Sequence, residues 1–192
     1  FKNEILYKEE LKKRLGTSFY NIGVYTNGGV LLNPGKLARS MIYTLPEQVE
    51  LYENTRLLNW KKINDKIECQ FAKNKIITNN IIFCANGFLR SLNIKKNYNF
   101  PITLTASLTR PLSENELKSI GSPKEWGVLP IRPMGATIRF TKDKRILIRN
   151  TAEVSKLKLI NEYDLKQRVK IHSFGIKKRF PNLPDDLIAD NL

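Results

Sequence analysis

The stretch that decides the fold is residues 81–109, IIFCANGFLRSLNIKKNYNFPITLTASLT, because its apolar pattern changes at Pro101. Before the proline, Ile81 to Ala85 form an unbroken apolar run ending at Asn86-Gly87. Such a run is typical of a strand buried on both faces of a parallel sheet. From Ile102 to Thr109, apolar residues alternate with hydroxyl residues, which predicts an antiparallel strand with one apolar and one hydroxyl-rich face. The change predicts two separate sheets in two regions.

The residues before this stretch alternate between helix and strand signals. A short helix is predicted over 9–15 and ends at Gly16, and a half-buried strand follows at Tyr20 to Val24. The turn residues Asn27-Gly28-Gly29 come next. Asn33 as N-cap and Pro34 as first helical residue predict a second helix, whose apolar face marks it as a core helix closed by Pro46.

Three further strands are expected between this helix and the apolar run. Val49 and Leu51 mark one strand, residues 58–63 a second, and the alternating residues 67–71 a third. Asn64-Asp65 supplies the turn between the last two. The pattern predicts a small antiparallel meander.

The residues after the stretch predict a mixed region. Ser113 and Glu116 form a capping box for a short helix that ends near Gly121. A hairpin follows, with residues 142–144 as its turn and a return strand over 145–149. A last helix starts at Asn161 and Asp164, carries Leu165, Val169, His172 and Ile176 on one face, and ends before Pro181.

The net charge of +15 raises nucleic-acid or acidic-partner binding as a hypothesis. The lysines occur as scattered pairs rather than as one tract, so we expect only weak, salt-sensitive binding to duplex DNA without sequence preference. No apolar run has the length of a membrane span. The two cysteines form no ligand pair and fit a reducing, cytoplasmic setting.

No residue pattern points to chemistry carried by the chain alone. The single histidine, His172, is expected to be a core residue. Without a second histidine or a cysteine cluster, neither a metal site nor a Ser-His-Asp arrangement is expected. No G-x-G-x-x-G or phosphate-binding loop occurs. Any chemistry must therefore come from a cofactor or from a partner segment; otherwise the chain has none.

Five segments, in this order and spacing, carry a resemblance to a known family. They are GGVLLNPGKL (28–37), ENTRL (53–57), IIFCANGF (81–88), TRPLSENEL (109–117) and IRFTKDKRIL (138–147). Together they resemble the glycine oxidase and D-amino-acid oxidase superfamily of FAD-dependent oxidoreductases, with the greatest likeness to the gamma-glutamylputrescine oxidase branch.

The resemblance implies a fold of α/β plus α+β class, of which this chain is the middle section. Residues 30–92 would be a portion of a Rossmann-like FAD-binding domain with a meander crossover. Residues 1–29 and 93–192 would belong to an antiparallel-sheet substrate-binding domain. Because the chain opens on Phe1 and the family's phosphate-binding and flavin-ring segments are missing, we expect it alone to purify without flavin and to be inactive.

The resemblance also implies site residues. The backbone of Leu57 would meet the adenine ring of FAD, and the turn Ala85-Asn86-Gly87 would lie against its adenosine part; ordinary core packing is the alternative for Leu57 and Ala85. Thr137 and Arg139 would face the substrate, although Arg139 could equally be a surface charge. No residue is assigned a catalytic role, because the flavin performs the hydride chemistry.

Three hypotheses for function remain open from the sequence. The first is a fragment of an FAD-dependent oxidoreductase that oxidises a small-molecule amine or amino acid to an imine. The second is a non-catalytic basic binding module for nucleic acid or acidic partners, and the third is a degraded, truncated paralogue. The gamma-glutamylputrescine oxidase branch often has an aromatic residue at the position of Thr137 and glycines at those of Arg149 and Asn150, so an intact active site is in question. Exposed apolar surface and self-association are expected of the cofactor half.

Overall fold

The computed structural model describes residues 2–95, 98, 100–133, 135–154 and 161–191. They fall into two compact units. Unit 1 contains the described residues of 1–32, 102–153 and 159–192, and unit 2 contains those of 33–101 together with Val154. The fold is mixed α and β with antiparallel sheets, and the boundary near Pro101 separates the two patterns seen in the sequence.

Unit 1 begins with a two-stranded sheet and a helix. Strand β1 (Asn3–Tyr7) pairs antiparallel with β2 (Ile22–Thr26), and helix α1 (Lys8–Leu15) connects them. The helix ends as predicted, because Gly16 adopts the left-handed conformation at φ 72° and donates its N–H to the Lys12 carbonyl. Strand β1 was not anticipated from the sequence.

A five-stranded antiparallel sheet forms the centre of unit 1. The strands are β6 (Ile102–Thr109), β7 (Trp126–Val128), β8 (Thr137–Phe140), β9 (Ile146–Val154) and β10 (Ile188–Asn191). Their order in the sheet is β10-β6-β9-β8-β7, so the predicted β8–β9 hairpin lies between β6 and the short strand β7.

Two capped helices accompany this sheet. Helix α3 (Glu114–Ser119) has the predicted capping box, in which Ser113 and Glu116 each accept the other's backbone N–H. Helix α4 (Glu162–Arg179) starts at Asn161, whose side chain accepts the N–H of Asp164. The core between these elements consists of Leu112, Leu117, Ile120, Ala136, Ile138, Phe140, Ile146, Ile148, Ile176, Phe180, Leu183 and Leu187.

Strand β6 buries its hydroxyl-rich face. Thr105, Ser107 and Thr109 are almost fully enclosed, whereas Leu104 on the apolar face is 46% exposed. The buried hydroxyls are satisfied: Thr109 accepts the N–H of Ile146, Ser107 bonds His172, and Thr105 bonds Thr151. Buried polar groups are tolerated when they are hydrogen-bonded in this way.

The described part of unit 2 contains one α-helix, a 3-10 helix and a three-stranded meander. Helix α2 (Pro34–Ile42) begins as predicted, with the Asn33 side chain accepting the Lys36 N–H at 2.9 Å. The predicted meander is also present, as β3 (Asn59–Ile63), β4 (Lys66–Gln70) and β5 (Lys75–Thr78) in that spatial order. Asn64 takes the left-handed conformation in the first turn, at φ 52°.

The prediction of a buried parallel strand at Ile81 to Ala85 is wrong. The segment forms no strand, Ile82 is 87% exposed, and Cys84 is exposed rather than enclosed as a small hydrophobe. The physical reason is that no described strand lies beside it. An apolar run becomes a buried strand only when neighbours supply its hydrogen bonds and cover both faces.

Two other expectations for unit 2 fail for a related reason. Helix α2 ends at Ile42 rather than near Pro46 and has no buried residue, with Leu37 and Met41 exposed. Val49 and Leu51 lie in an irregular, exposed segment rather than in a strand. Both segments have an apolar pattern suited to burial, but no described element covers them.

Candidate functional site

Trp60 on β3 organises the part of unit 2 that contains the predicted cofactor residues. Its ring lies against that of Phe83, with centroids 5.3 Å apart. Its indole N–H donates to the Leu92 carbonyl at 3.1 Å. The indole therefore connects the start of the meander to both ends of the segment 83–92, which contains the predicted turn.

Leu57 lies two residues before β3 and is half-buried. The next residue, Leu58, donates its N–H to the Gln70 carbonyl at 2.9 Å, which fixes the chain as it enters the meander. Within the described part of the chain, neither the N–H nor the carbonyl of Leu57 has a hydrogen-bond partner. Leu57 therefore has a free backbone donor and acceptor, which the edge of an adenine ring requires.

The turn Ala85-Asn86-Gly87 begins a 3-10 helix, Asn86–Leu92, and does not terminate a strand. The Ala85 carbonyl accepts the Phe88 N–H at 2.8 Å, and Asn86 has the positive φ of 44°. Gly87 packs against Pro101, because a Cβ there would lie 3.3 Å from the proline Cβ. The glycine is thus explained by close packing within unit 2, while the proximity of this turn to Leu57 stays a prediction.

An open groove on the meander, about 740 Å³ in volume, contains none of the predicted site residues. Lys61 and Lys75 both bond Glu68 on β4, at 3.0 and 3.3 Å. These two hydrogen bonds hold the pKa of Glu68 below its ordinary value. The charges at this groove neutralise one another in part, which makes it a poor site for an anion.

Thr137 and Arg139 lie on what we call the outer face, the face of the five-stranded sheet opposite the core. The pairing of β8 with β9 places Ile138 opposite Ile148 and Phe140 opposite Ile146, all four in the core. Side chains alternate along a strand, so Thr137 and Arg139 point away from that core. The structure therefore brings the two predicted substrate residues to one surface.

Arg149 occupies the same surface and was not predicted as a site residue. It is the direct partner of Thr137 across the hairpin, and Arg139 is the partner of Leu147. The signal was present in the sequence, since counting outward from the 142–144 turn gives this register. Beyond Arg149 the alternation of side chains along β9 breaks. Ile148 and Thr151 are three residues apart, so regular alternation would place them on opposite faces, yet both contact the buried side of the sheet.

The buried pair of Ser107 and His172 does not form a catalytic site. The serine Oγ and the imidazole Nδ1 are 2.7 Å apart, and His172 is fully enclosed, as expected for a core histidine. Burial, and secondarily the charge of Arg168, lowers the pKa of His172. A substrate has no access to either group.

Three solved structures with the same fold are oxidases. Glycine oxidase from Geobacillus kaustophilus matches 99% of this chain and 50% of its own at a TM-score of 0.72 and 12% identity. Glycine oxidase from Bacillus cereus matches 98% and 51% at 0.70 and 11%. Dithionite-reduced L-α-glycerophosphate oxidase from Mycoplasma pneumoniae, with FAD bound, matches 98% and 51% at 0.65 and 19%.

The chain spans about half the length of these three structures. Comparison of the sequence with protein-family models finds no match, and comparison with curated proteins finds none. The similarity therefore establishes the fold and leaves the reaction to chemical argument. In the described residues, no helix is both long and apolar enough to cross a membrane.

Proposed function

We propose that this chain is part of an FAD-dependent oxidoreductase that converts an amine or amino acid into an imine. The observation that carries the proposal is the fold shared with three oxidases over nearly the whole chain, at TM-scores of 0.72, 0.70 and 0.65. One of those oxidases has FAD bound. The activity belongs to the whole protein, since the chain corresponds to about half of each oxidase.

Unit 2 would hold the adenosine part of FAD. The free backbone N–H and carbonyl of Leu57 suit the edge of the adenine ring, and the turn Ala85-Asn86-Gly87 presents backbone near the same meander. FAD, when bound, supplies the acceptor for the hydride that leaves the substrate carbon. The chain's own residues would position the cofactor.

Unit 1 would hold the substrate on the outer face. Thr137 offers a hydroxyl and Arg139 a guanidinium group, which is suited to a carboxylate. The order of sequence motifs, which resembles that of gamma-glutamylputrescine oxidases, favours an amine or amino acid as the substrate, and the two cysteines fit a cytoplasmic location. No described residue is positioned for proton transfer, so the proposal assigns none that role.

The decisive experiment uses the native protein, isolated from its source with antibodies raised against this chain. Flavin in the purified protein is identified by mass spectrometry and fluorescence. The purified protein is then mixed anaerobically with each member of a panel of amines and amino acids, and reduction is followed as the loss of the absorbance of its oxidised flavin. Reduction by a member of this panel is expected, and the assay needs no knowledge of the electron acceptor.

Two other outcomes would change the conclusion in different ways. If only a hydroxy compound such as glycerol phosphate reduces the flavin, the protein is an FAD-dependent oxidoreductase but does not oxidise amines. A native protein without flavin that stays on a DNA column at moderate salt would reject the proposal in favour of a basic binding module.

A further inference from the structure

Two arginines on the outer face have no carboxylate partner. Arg139 and Arg149 are both half-buried. In the part of unit 1 that the structure describes, neither forms an ion pair nor donates a hydrogen bond. A charged group that has lost part of its hydration normally gains a partner in exchange, so their isolation calls for an explanation.

The other half-buried arginines described in unit 1 do have partners. Each of them bonds at least one oxygen atom within the unit. They are Arg110 with Glu116, Arg145 with Asp143 and Asp190, Arg168 with Glu153, and Arg179 with the Gly175 carbonyl. Arg139 and Arg149 are therefore exceptions among the half-buried arginines described in unit 1, because the others each bond an oxygen atom.

The register places these two cations close together. Thr137 lies opposite Arg149 and Arg139 lies opposite Leu147, so the arginines are diagonal neighbours on one face. Diagonal residues of an antiparallel pair have side chains about 7–8 Å apart at their bases, within reach for long side chains. Two guanidinium groups at this spacing repel each other, and a shared anion between them would reverse the sign of the interaction.

Thr137 adds a third polar group at the same place. Its side chain is only 6% exposed, yet within the described residues its hydroxyl has no hydrogen-bond partner. On the neighbouring strand, Gly127 leaves room for Arg139. A Cβ added at residue 127 would lie 3.8 Å from the Cγ of Arg139. Leu31 packs at the same glycine and provides an apolar border.

We propose that Thr137, Arg139 and Arg149 form a binding site for a doubly charged anion, either a phosphate monoester or a dicarboxylate. A single carboxylate would neutralise one guanidinium and leave the other charged and half-buried. A dianion neutralises both, and each planar guanidinium can donate two parallel hydrogen bonds to it. The hydroxyl of Thr137 supplies a further donor.

This inference deepens the proposed function by naming the class of substrate that the outer face selects. The apolar side chains of Leu104, Ala106 and Leu108 continue the same surface on β6. A substrate with a dianionic end and an apolar body would match both parts. The site should accordingly discriminate against glycine and other small amino acids with one carboxylate.

The test titrates the chain at low ionic strength with inorganic phosphate, malonate and acetate, while NMR follows the arginine Nε–Hε signals. The chemical shifts of Arg139 and Arg149 should change with added phosphate or malonate until they reach a plateau. Acetate should bind at least about tenfold more weakly. Tighter binding of phosphate would indicate a phosphate ester, and tighter binding of malonate a dicarboxylate. If neither dianion binds more tightly than acetate, the site is disproved.

Matched variants separate the site from general charge attraction. Arg139→Gln and Arg149→Gln should each weaken dianion binding about tenfold. Arg132→Gln removes the same charge from an exposed loop and should leave binding unchanged. Equal effects of Arg132→Gln and Arg149→Gln would overturn the proposal, because they would indicate attraction to the net positive charge alone.

Thermal unfolding without added anion gives an independent readout. Removing one of two repelling cations should leave the melting temperature of Arg149→Gln unchanged or raise it. A lower melting temperature with unchanged anion binding would mean that Arg149 is only structural, against the proposal. None of these measurements uses flavin, so dianion binding by this chain, together with a native protein that lacks flavin, would reject the proposed function and retain the site.

Discussion

His172 illustrates how one enclosed side chain couples stability to pH. Its Nδ1 bonds Ser107, and its Nε2 has no partner among the described residues. Protonation would place a positive charge in a buried site near Arg168, and burial together with that charge lowers the pKa of His172. The imidazole therefore stays neutral in the folded protein at neutral pH.

The first prediction follows from this lowered pKa. The unfolded chain takes up a proton near the ordinary histidine pKa of about 6.5, whereas the folded chain does not. Stability is then complete above that pH and declines as the pH falls toward the lowered folded value. The ring signals of the single histidine in NMR should titrate below 6.5. A midpoint at or above it would contradict the burial argument.

His172→Asn provides the matched variant for the stability measurement. Its amide lies where Nδ1 lies and can keep the hydrogen bond to Ser107, but it does not titrate. Unfolding by urea at pH 7.5 and pH 5 should therefore show a smaller loss of stability in the variant than in the original protein. Equal losses would place the pH dependence elsewhere.

Gly16 is a second position where one residue decides local geometry. It ends α1 at φ 72°, and a Cβ there would lie 2.4 Å from the Ile120 carbonyl oxygen. We predict that Gly16→Ala lowers the free energy of unfolding by more than about 1 kcal/mol. Gly29→Ala is the control, because no atom lies within 4 Å of its Cβ position. Similar losses in both variants would contradict the prediction.

At the scale of elements, helix α3 depends on the bonds around Glu116. Its carboxylate accepts the N–H of Ser113 and two hydrogen bonds from Arg110, at 2.8 and 2.7 Å. The Arg110 guanidinium, the largest cause, helps to hold the pKa of Glu116 at about 2. The guanidinium is 40% exposed, so solvent screens part of the interaction.

We therefore predict that Glu116→Gln lowers stability by about 1 kcal/mol at neutral pH. A lowered carboxyl pKa stabilises the fold above the unfolded value of 4.5, and this contribution is lost as the pH falls toward 2. The difference between the two proteins in urea unfolding should shrink over that range. Glu114→Gln, which removes an exposed ion pair on the same helix, should leave stability nearly unchanged.

Helix starts and turns could be predicted from the sequence because their signals are local. Asn33, Ser113 and Asn161 each bond a backbone N–H three residues later, so a few adjacent letters suffice. The hairpin face with Thr137 and Arg139 followed from strand alternation in the same way. These interactions need no knowledge of distant residues.

The remaining features depend on contacts between distant segments. The apolar run at Ile81 to Ala85 looks like a core strand, but burial depends on which elements lie beside it. Strand β10 was missed because it is short and pairs with β6 about eighty residues earlier in the chain. Arg149 is a different case, because its pairing with Thr137 can be counted from the hairpin turn; the alternation along β8, considered alone, does not include the partner strand.

At the scale of the whole molecule, unit 2 leaves many large apolar side chains exposed. Leu37, Met41, Ile42 and Leu45 are all at least 40% exposed, as are Val49, Leu51, Ile76 and Ile77. Exposed apolar side chains in such number are typical of a surface that contacts another molecule. The expected exposed surface is present, and self-association of the isolated chain stays a prediction.

We predict that the chain associates more strongly at higher protein concentration and at higher salt, because salt screens its charge of +15. Leu37→Gln with Met41→Gln should increase the monomer fraction in analytical ultracentrifugation. The melting temperature should stay the same, since both side chains are already exposed. Arg39→Gln on the polar side of α2 is the control. A chain that is monomeric at all concentrations would contradict the prediction.

Cys84, immediately before the Ala85-Asn86-Gly87 turn, gives the chain a natural attachment point for a spectroscopic label. It is exposed, while the other cysteine, Cys69, is only 5% exposed within β4. A thiol-reactive fluorophore should therefore couple to one defined position in the folded protein without any engineered mutation. The label would report on the arrival of a nucleotide at this turn by a change in its emission, independently of turnover.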